Sequence, residues 1–244
     1  MERLAGAREE LDADELDPTA LAGNLRDLAR INRWLGGVRL SRMALADLER
    51  SATPARRQAG EVFRILDVGT GGADVPAALL ASWTGPGRLE VVAIDRNPAI
   101  VAAASTMLER NGTTGPRGLE LRVADGLALP DPDEAFDVAH ASLVLHHLDP
   151  GDAVALIREM ARVARVGIVL NDLSRSRLGW IGAWLMGHVL TRNRFTRSDA
   201  PMSVRRAYTA SEASAMLREA GLAIVSCRFG VFRHRWAIAA ARTR

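Results

Sequence analysis

A glycine turn flanked by carboxylates, and a pair of adjacent histidines, are the parts of this chain whose residue types and spacing could do chemistry. Asp67 closes a run of β-formers (Val62, Phe63, Ile65, Leu66), and Gly69, Thr70, Gly71 and Gly72 follow Val68 at once. Asp74 then opens an Ala- and Leu-rich segment, Val75 to Ser82, that reads as a helix. A buried strand, a glycine turn and a helix N-terminus in that order make a nucleotide-binding crevice, because small residues let backbone N–H groups approach a ligand.

Charge narrows the nucleotide. A dinucleotide fingerprint, G-x-G-x-x-G/A, starting at Gly69 would need Gly or Ala at position 74, where Asp74 stands. A carboxylate there repels a pyrophosphate. It suits a ligand with an ammonium, a sulfonium and no phosphate, which describes S-adenosylmethionine. The row Asp67-x-Gly69-x-Gly71 resembles the first motif of the class I (Rossmann-like) methyltransferases, with Ala73 where many members carry a third glycine. The alternative is a turn that serves only strand-to-helix packing.

Asp95 ends a second strand, Leu89 to Asp95, a little over twenty residues beyond the turn. That is about where an acidic residue grips ribose hydroxyls in such folds, since each carboxylate oxygen can accept one hydroxyl hydrogen. Arg96 or Asn97 would then sit beside the adenine; the alternative for Asp95 is a cap on the helix Pro98 to Arg110. A third strand, Leu119 to Ala124, ends at Asp125-Gly126. The resemblance implies that Asp125 reaches the adenine amino group, and that Gly69 and Gly71 lie near the methionine moiety.

The fourth strand, Phe136 to Ser142, runs on into LVLHHL. This FD-x7-LHHL pattern resembles methyltransferases of the ubiquinone/menaquinone-biosynthesis type. His140, Ala141 and Ser142 should then lie against the methionine half of the cofactor. His146 or His147 could act as a general base, because an imidazole near its ordinary pKa can take a proton from a phenol or enol. Alternatively the two rings face opposite ways, one bonded in the core and one toward the crevice. Neither has a Cys or carboxylate at metal-ligand spacing in the sequence, so no metal is expected. Asn171 and Asp172, at the end of a fifth strand, Val166 to Leu170, are candidates for substrate orientation.

Substrate-side expectations fall on two stretches. Residues 1–60 read as an N-terminal helical cap: a helix from Pro18 with Leu21, Leu25, Leu28 and Ile31 at helical spacing, then Gly36-Gly37, a helix Val38 to Leu48, and a polar link over 51–60. It is either an edge packed on the main domain or a lid, which would put Asn32 and Trp34 near the substrate. Residues before Pro18 read as frayed or a loose helix. Residues 61–244 read as the cofactor domain, with an insert at about 173–207 where the resembling family elaborates its substrate site. Its apolar part, LGWIGAWLMGHVL from Leu178, is too short to cross a bilayer, which takes about 20 residues. It reads as a core helix or as a lid lining a lipophilic cavity with Trp180, Trp184, Met186 and His188. Of the arginines that follow, Arg192, Arg194 and Arg197 read as solvated, while Arg205 and Arg206 are the candidates for holding an anionic group of the substrate.

Thr209 to Glu212 is a capping box for a helix stopped by Gly221, and Leu222 to Cys227 and Val231 to Ala240 read as an antiparallel hairpin. The expected fold is α/β: a doubly wound, seven-stranded sheet, mostly parallel with an antiparallel C-terminal hairpin, helices on both faces and the N-terminal helical cap. All 32 basic residues are arginine, yet the net charge is only +3, which does not point to nucleic acid. The single cysteine, Cys227, excludes an internal disulfide and any Cys-based metal site. The acidic start lacks an apolar core, so a cytosolic protein without stable membrane insertion is expected, either monomeric or a homodimer.

S-adenosylmethionine-dependent transfer to a small lipophilic acceptor, with S-adenosylhomocysteine as product, is the expected activity. The first choice of acceptor is a hydroxyl of an aromatic or polyketide-type molecule; a carbon of a quinone-like ring is the second. An NAD(P)-dependent oxidoreductase is the rival enzyme, weakened by Asp74 and by the lack of any lysine for a Tyr-x-x-x-Lys pair. A cofactor-binding partner without turnover is the non-enzymatic rival.

Overall fold

The computed structural model describes all residues except 8, 13–15, 53–61, 86, 111–116, 190, 192 and 243–244. The link over 51–60, the loop after Arg110, the end of the insert helix at position 190, and Arg192 therefore lie wholly or largely outside the described residues.

Alternation along the strands decides the layers. In β1 (Val62–Val68), Ile65 and Leu66 are both fully buried, so successive side chains fill cores on opposite faces, as in a parallel strand covered on both sides. The same holds through β2 (Arg88–Asp95), β4 (Phe136–Ser142) and β5 (Ala164–Leu173). With β3 (Leu119–Val123), β6 (Leu222–Phe229) and β7 (Arg235–Arg242) they form one seven-stranded sheet in the order β3-β2-β1-β4-β5-β7-β6. β7 is antiparallel to both neighbours and the remaining pairs are parallel.

One face is covered by α5 (Pro150–Val163) and α8 (Ala210–Glu219), whose Leu156, Ile157, Met160, Ala213 and Leu217 meet Leu66, Ile94 and Phe136. The Thr209–Glu212 capping box is present. The other face is covered by α2 (Gly37–Ser51) and α3 (Asp74–Ala81), with α4 (Pro98–Arg110) beside α3. Leu40, Ala44, Leu45 and Leu48 of α2 share one cluster with Ile65, Val91, Val138 and Val169. The second helix is thus a full layer member of the main core, not part of a detachable cap. The first, α1 (Pro18–Trp34), is capped by Asp17, which accepts from the Ala20 N–H, and lies outside α2. There its Leu25 packs on Gly71 and Gly72 of the glycine turn. One helix of the expected cap is scaffold and the other covers the crevice loop.

Two further differences are local. Val231 does not start a strand: residues 231–233 form a 3-10 turn and β7 begins at Arg235. The chain before Pro18 is not frayed where it is described. Leu4 donates its N–H to the Arg205 carbonyl, and Glu9 is buried against Ser203, whose hydroxyl donates to it at 2.8 Å.

Because Leu48 is fully buried in the main core, Leu48→Ala should lower stability by about 2–5 kcal/mol. Chemical denaturation of the full chain measures this; a loss under about 1 kcal/mol would mean that α2 is peripheral after all.

Candidate active site

The strands' carboxyl ends carry the chemistry. Asp67 lies two residues beyond Ile65, and His140 two beyond Val138, so both side chains face the α2 side. Asp67 Oδ1 is 2.5 Å from His140 Nδ1, and His140 Nε2 is 2.8 Å from Ser41 Oγ of α2. Asn171 Nδ2 donates to Ser41 Oγ and to the Gly37 carbonyl, each at 2.8 Å. A carboxylate only accepts, so Nδ1 of His140 carries the proton and Nε2 takes the serine hydrogen. The order Ser–His–Asp is that of an acyl-transfer triad, but Ser41 and His140 are completely buried, so no substrate carbonyl reaches the hydroxyl. The chain of bonds seats α2 on the sheet. Both ring nitrogens of His140 are thereby engaged, and Asn171 is held by α2 with its Nδ2 hydrogens already placed.

The glycine turn follows β1. Gly69 (φ +65°) and Gly71 (φ +55°) adopt left-handed backbone, and a Cβ on Gly69 would come within 2.5 Å of the Val144 side chain. Thr70 donates its N–H to the Ile94 carbonyl, while its buried Oγ1 has no hydrogen-bond partner. Asp95 pins the turn: one oxygen accepts the Gly71 N–H and the other the Asn97 N–H, each at 3.1 Å. Burial pushes its carboxyl above the usual range, and those two N–H groups pull the other way. Each oxygen keeps a lone pair for a further donor. Arg96 is exposed at the mouth. Asp125 is exposed and accepts the Leu127 N–H at 2.9 Å, while Gly126 packs where a Cβ would meet Val68 within 2.7 Å.

Asp74, the first residue of α3, accepts from Asn32 Nδ2 of α1 at 3.0 Å. Burial raises its carboxyl, and the Asn32 bond opposes this. Asn32 Oδ1 in turn accepts from Arg235 Nη1 at 2.9 Å, and Arg235 Nη2 lies 3.5 Å from Ser142 Oγ. Arg235 is fully buried. Burial lowers its pKa to about 10, although the charges of Asp172 and Asp74 hold it up. Sequence reading missed this residue: it fell inside the strand expected over Val231 to Ala240 and was given no role.

The histidines stand beyond the carboxyl end of β4, and they differ from the sequence expectation. His146 does have a carboxylate: Asp172 takes its Nδ1 at 2.6 Å and its backbone N–H at 3.1 Å. Burial alone would raise the Asp172 carboxyl, but the His146 charge and hydrogen bond hold it below the usual range. The Asp172 carboxylate accepts from Nδ1 and so directs Nε2 the other way. Nor do the two histidines diverge. Their ring centroids are 4.2 Å apart, and their Nε2 atoms lie 3.8 and 3.9 Å from the two oxygens of Glu9. Glu9, in a stretch read as frayed, gave no sequence signal. These atoms, all within 4.8 Å of one another, are of the types that ligate a metal. The Arg206 guanidinium, 3.7 Å from Glu9, already supplies a positive charge there and would compete with an ion. Hence the cluster is better suited to holding a proton. His147 is close enough for its charge to act on Asp95, which links the two ends of the site.

The other substrate-side candidates are not gathered into one enclosed site. Asp172 serves His146 instead of a substrate. Arg206 is buried and donates to the carbonyls of His146 and His147, so it braces the histidine turn; Arg205 is exposed. Trp34 is 82% exposed at the end of α1. Trp184 and His188, on α6 (Arg177–Val189), stack on each other at 4.5 Å, with Trp184 45% exposed, so neither lines an enclosed cavity. A cleft of 530 Å³ bounded by Arg64, Glu90, Gly118 and Phe136 lies at the strands' amino ends, away from all these groups.

Asp74→Asn keeps the shape and removes a buried charge. A raised carboxyl destabilises the folded state once ionised, so the variant should melt at or above the wild-type temperature at pH 7. That gain should vanish below about pH 4, where both side chains are neutral in folded and unfolded chains. A lower melting temperature at pH 7 would contradict the burial argument.

Residues 65–167 match the family model described as a methyltransferase domain. Over 76 residues the chain is 46% identical to demethylmenaquinone methyltransferase of Thermus thermophilus; the matched stretch spans 30% of each protein. Among solved structures, an S-adenosylmethionine-dependent methyltransferase from Aquifex aeolicus superposes with a TM-score of 0.59 (18% identity, 94% of this chain and 100% of that one). An O-methyltransferase family 2 protein from Planctomyces limnophilus, complexed with apigenin, gives 0.63 (18% identity, 95% and 64%). The [4+2]-cyclase SpnF gives 0.55 (21% identity, 81% and 61%). Residues 65–167 thus resemble a methyltransferase domain, and the chain shares the fold of the class I S-adenosylmethionine-dependent methyltransferases among these structures.

Proposed function

We propose that this protein transfers a methyl group from S-adenosylmethionine to a hydroxyl of a small, lipophilic, aromatic or polyketide-type acceptor. The observation that carries the reading is the pairing of two differently built ends at one sheet edge. At β1 and β2, a glycine turn pinned by Asp95 leaves carboxylate lone pairs for ribose and a carboxylate, Asp74, for an ammonium. At β4 and β5, His146 is oriented by Asp172 within a cluster able to receive a proton. The sulfonium is already activated, so in-line displacement needs chiefly proximity, exclusion of water and a deprotonated acceptor. As the acceptor oxygen bonds to the methyl carbon, the carbon–sulfur bond breaks, its electron pair stays on sulfur, and the hydroxyl proton goes to Nε2 of His146, directly or through His147.

The apigenin-bound neighbour supports a phenolic hydroxyl as acceptor. C-methylation of a quinone-like ring is the second reading, favoured by the local identity to a demethylmenaquinone methyltransferase. An NAD(P)-dependent activity is disfavoured by Asp74, and a binding-only role leaves the Asp172–His146 pair unused.

Calorimetry should show micromolar binding of S-adenosylhomocysteine, abolished in Asp95→Ala. Equal titrations for the two proteins would refute the ribose assignment. With radiolabelled S-adenosylmethionine and a panel of phenols and quinols, His146→Gln should slow transfer by about 10²–10⁴-fold at unchanged cofactor affinity. Asp172→Asn should act in the same direction, because it frees the tautomer. Full turnover in His146→Gln would remove the histidine from the reaction.

A further inference from the structure

We propose that α6, with the turn at 231–233, docks this protein reversibly on an anionic lipid surface. The helix is built inside out for a soluble protein. Gly179, Ala183 and Gly187, one turn apart, face α7 (Arg194–Arg206); a Cβ on Gly187 would stand 3.3 Å from the Thr196 carbonyl oxygen. The large side chains Leu178, Ile181, Trp184, Leu185 and Val189 project from the opposite side at helical spacing, with Leu178 77% and Val189 68% exposed. A contiguous apolar face of this kind marks an interaction site.

A second exposed apolar group stands at the same end of the sheet. Ser174, just before α6, donates its N–H to the His234 carbonyl at 2.8 Å, and Leu173 pairs with Arg235. The 231–233 turn therefore lies beside the start of α6, presenting Val231 and a Phe232 that is 91% exposed. α6 follows β5 and the turn precedes the antiparallel β7, so both belong to the strand ends that carry the candidate site.

Charge selects the occupant. Arg177 on α6 and Arg233 in the turn are exposed beside these groups, and Arg194, Arg197 and Arg205 are exposed on the adjoining α7. Asp199 is the sole acidic residue in 173–207 and 229–235, and it is buried, bound to the backbone N–H groups of Glu10 and Leu11. A twofold contact with a second copy would set these arginine rims against each other. An anionic bilayer instead complements them, while leucine, isoleucine and tryptophan enter the headgroup boundary. No helix among the described residues is long and apolar enough to cross a membrane, so the contact is peripheral. Docking in this pose presents the site to a phase in which a lipophilic acceptor dissolves.

Sedimentation of the full chain with vesicles tests this. Binding should be about tenfold or more tighter to vesicles of phosphatidylcholine mixed with phosphatidylglycerol than to phosphatidylcholine alone, and should weaken with salt. Ile181→Glu/Leu185→Glu, at exposed positions, should cut it by about tenfold with unchanged thermal unfolding and unchanged S-adenosylhomocysteine titration. That last readout separates loss of docking from loss of the cofactor site. No binding, or equal binding to both vesicle types, overturns the proposal. So does a dimer in sedimentation velocity that the same double variant dissociates, which would assign the face to a second copy.

Discussion

One buried cation, Arg235, ties the two ends of the site to each other. Arg235 lies under the strand ends with the carboxylates of Asp74 and Asp172 acting on its charge, and its Nη atoms reach Asn32 and Ser142. Buried carboxylates stand at both ends, Asp74 accepting from Asn32 and Asp172 bonded to His146. Gathered in a dry crevice they would repel one another and shift toward their neutral forms. A guanidinium between them offsets this, and removing the guanidinium, which would leave the Asp172 carboxylate buried without it, should cost about 3–5 kcal/mol. Asn32 completes the arrangement by accepting from Arg235 and donating to Asp74, which ties α1 to α3 through one amide.

The same economy appears in the glycine turn. Asp95 accepts one N–H from Gly71 and one from Asn97, so a single carboxylate sets the turn after β1 and the entry to α4 before any ligand arrives. Preorganisation of this kind limits what a ligand must order on binding. The fold alone does not dictate methyl transfer: a solved relative of the same architecture is a [4+2]-cyclase. What favours transfer lies in the side chains at the edge of β4 and β5, where Asp172 and Glu9 flank His146.

The parallel strands and their helices were legible because both kinds of signal are local: β-branched runs ending in Asp or Gly, and capped apolar periodicity. The identity of the strand-end carboxylates was legible for the same reason. Their partners were not. Glu9 meets His146 across 137 positions, and Ser41 meets His140 across 99, distances over which spacing carries no information. Asn171 and Asp172 were correctly placed at a strand end, but adjacent residues point to opposite faces, so one turned to α2 and the other to the histidines. The insert was misread for a related reason: its apolar richness suggested a lining, whereas the small residues Gly179, Ala183 and Gly187 decide which side packs.

Gly37 has one more consequence. A methyl group there would come within 2.3 Å of Arg235 Nη1 and 2.7 Å of Asn32 Oδ1, so the corner between the first two helices is moulded around a strand near the other end of the chain. During synthesis the ribosome releases those helices long before residue 235 emerges. Until it does, Asn32 and Asp74 lack the cation that organises them, and the crevice cannot take its final form. The order of translation therefore delays assembly of this crevice until residue 235 has been made.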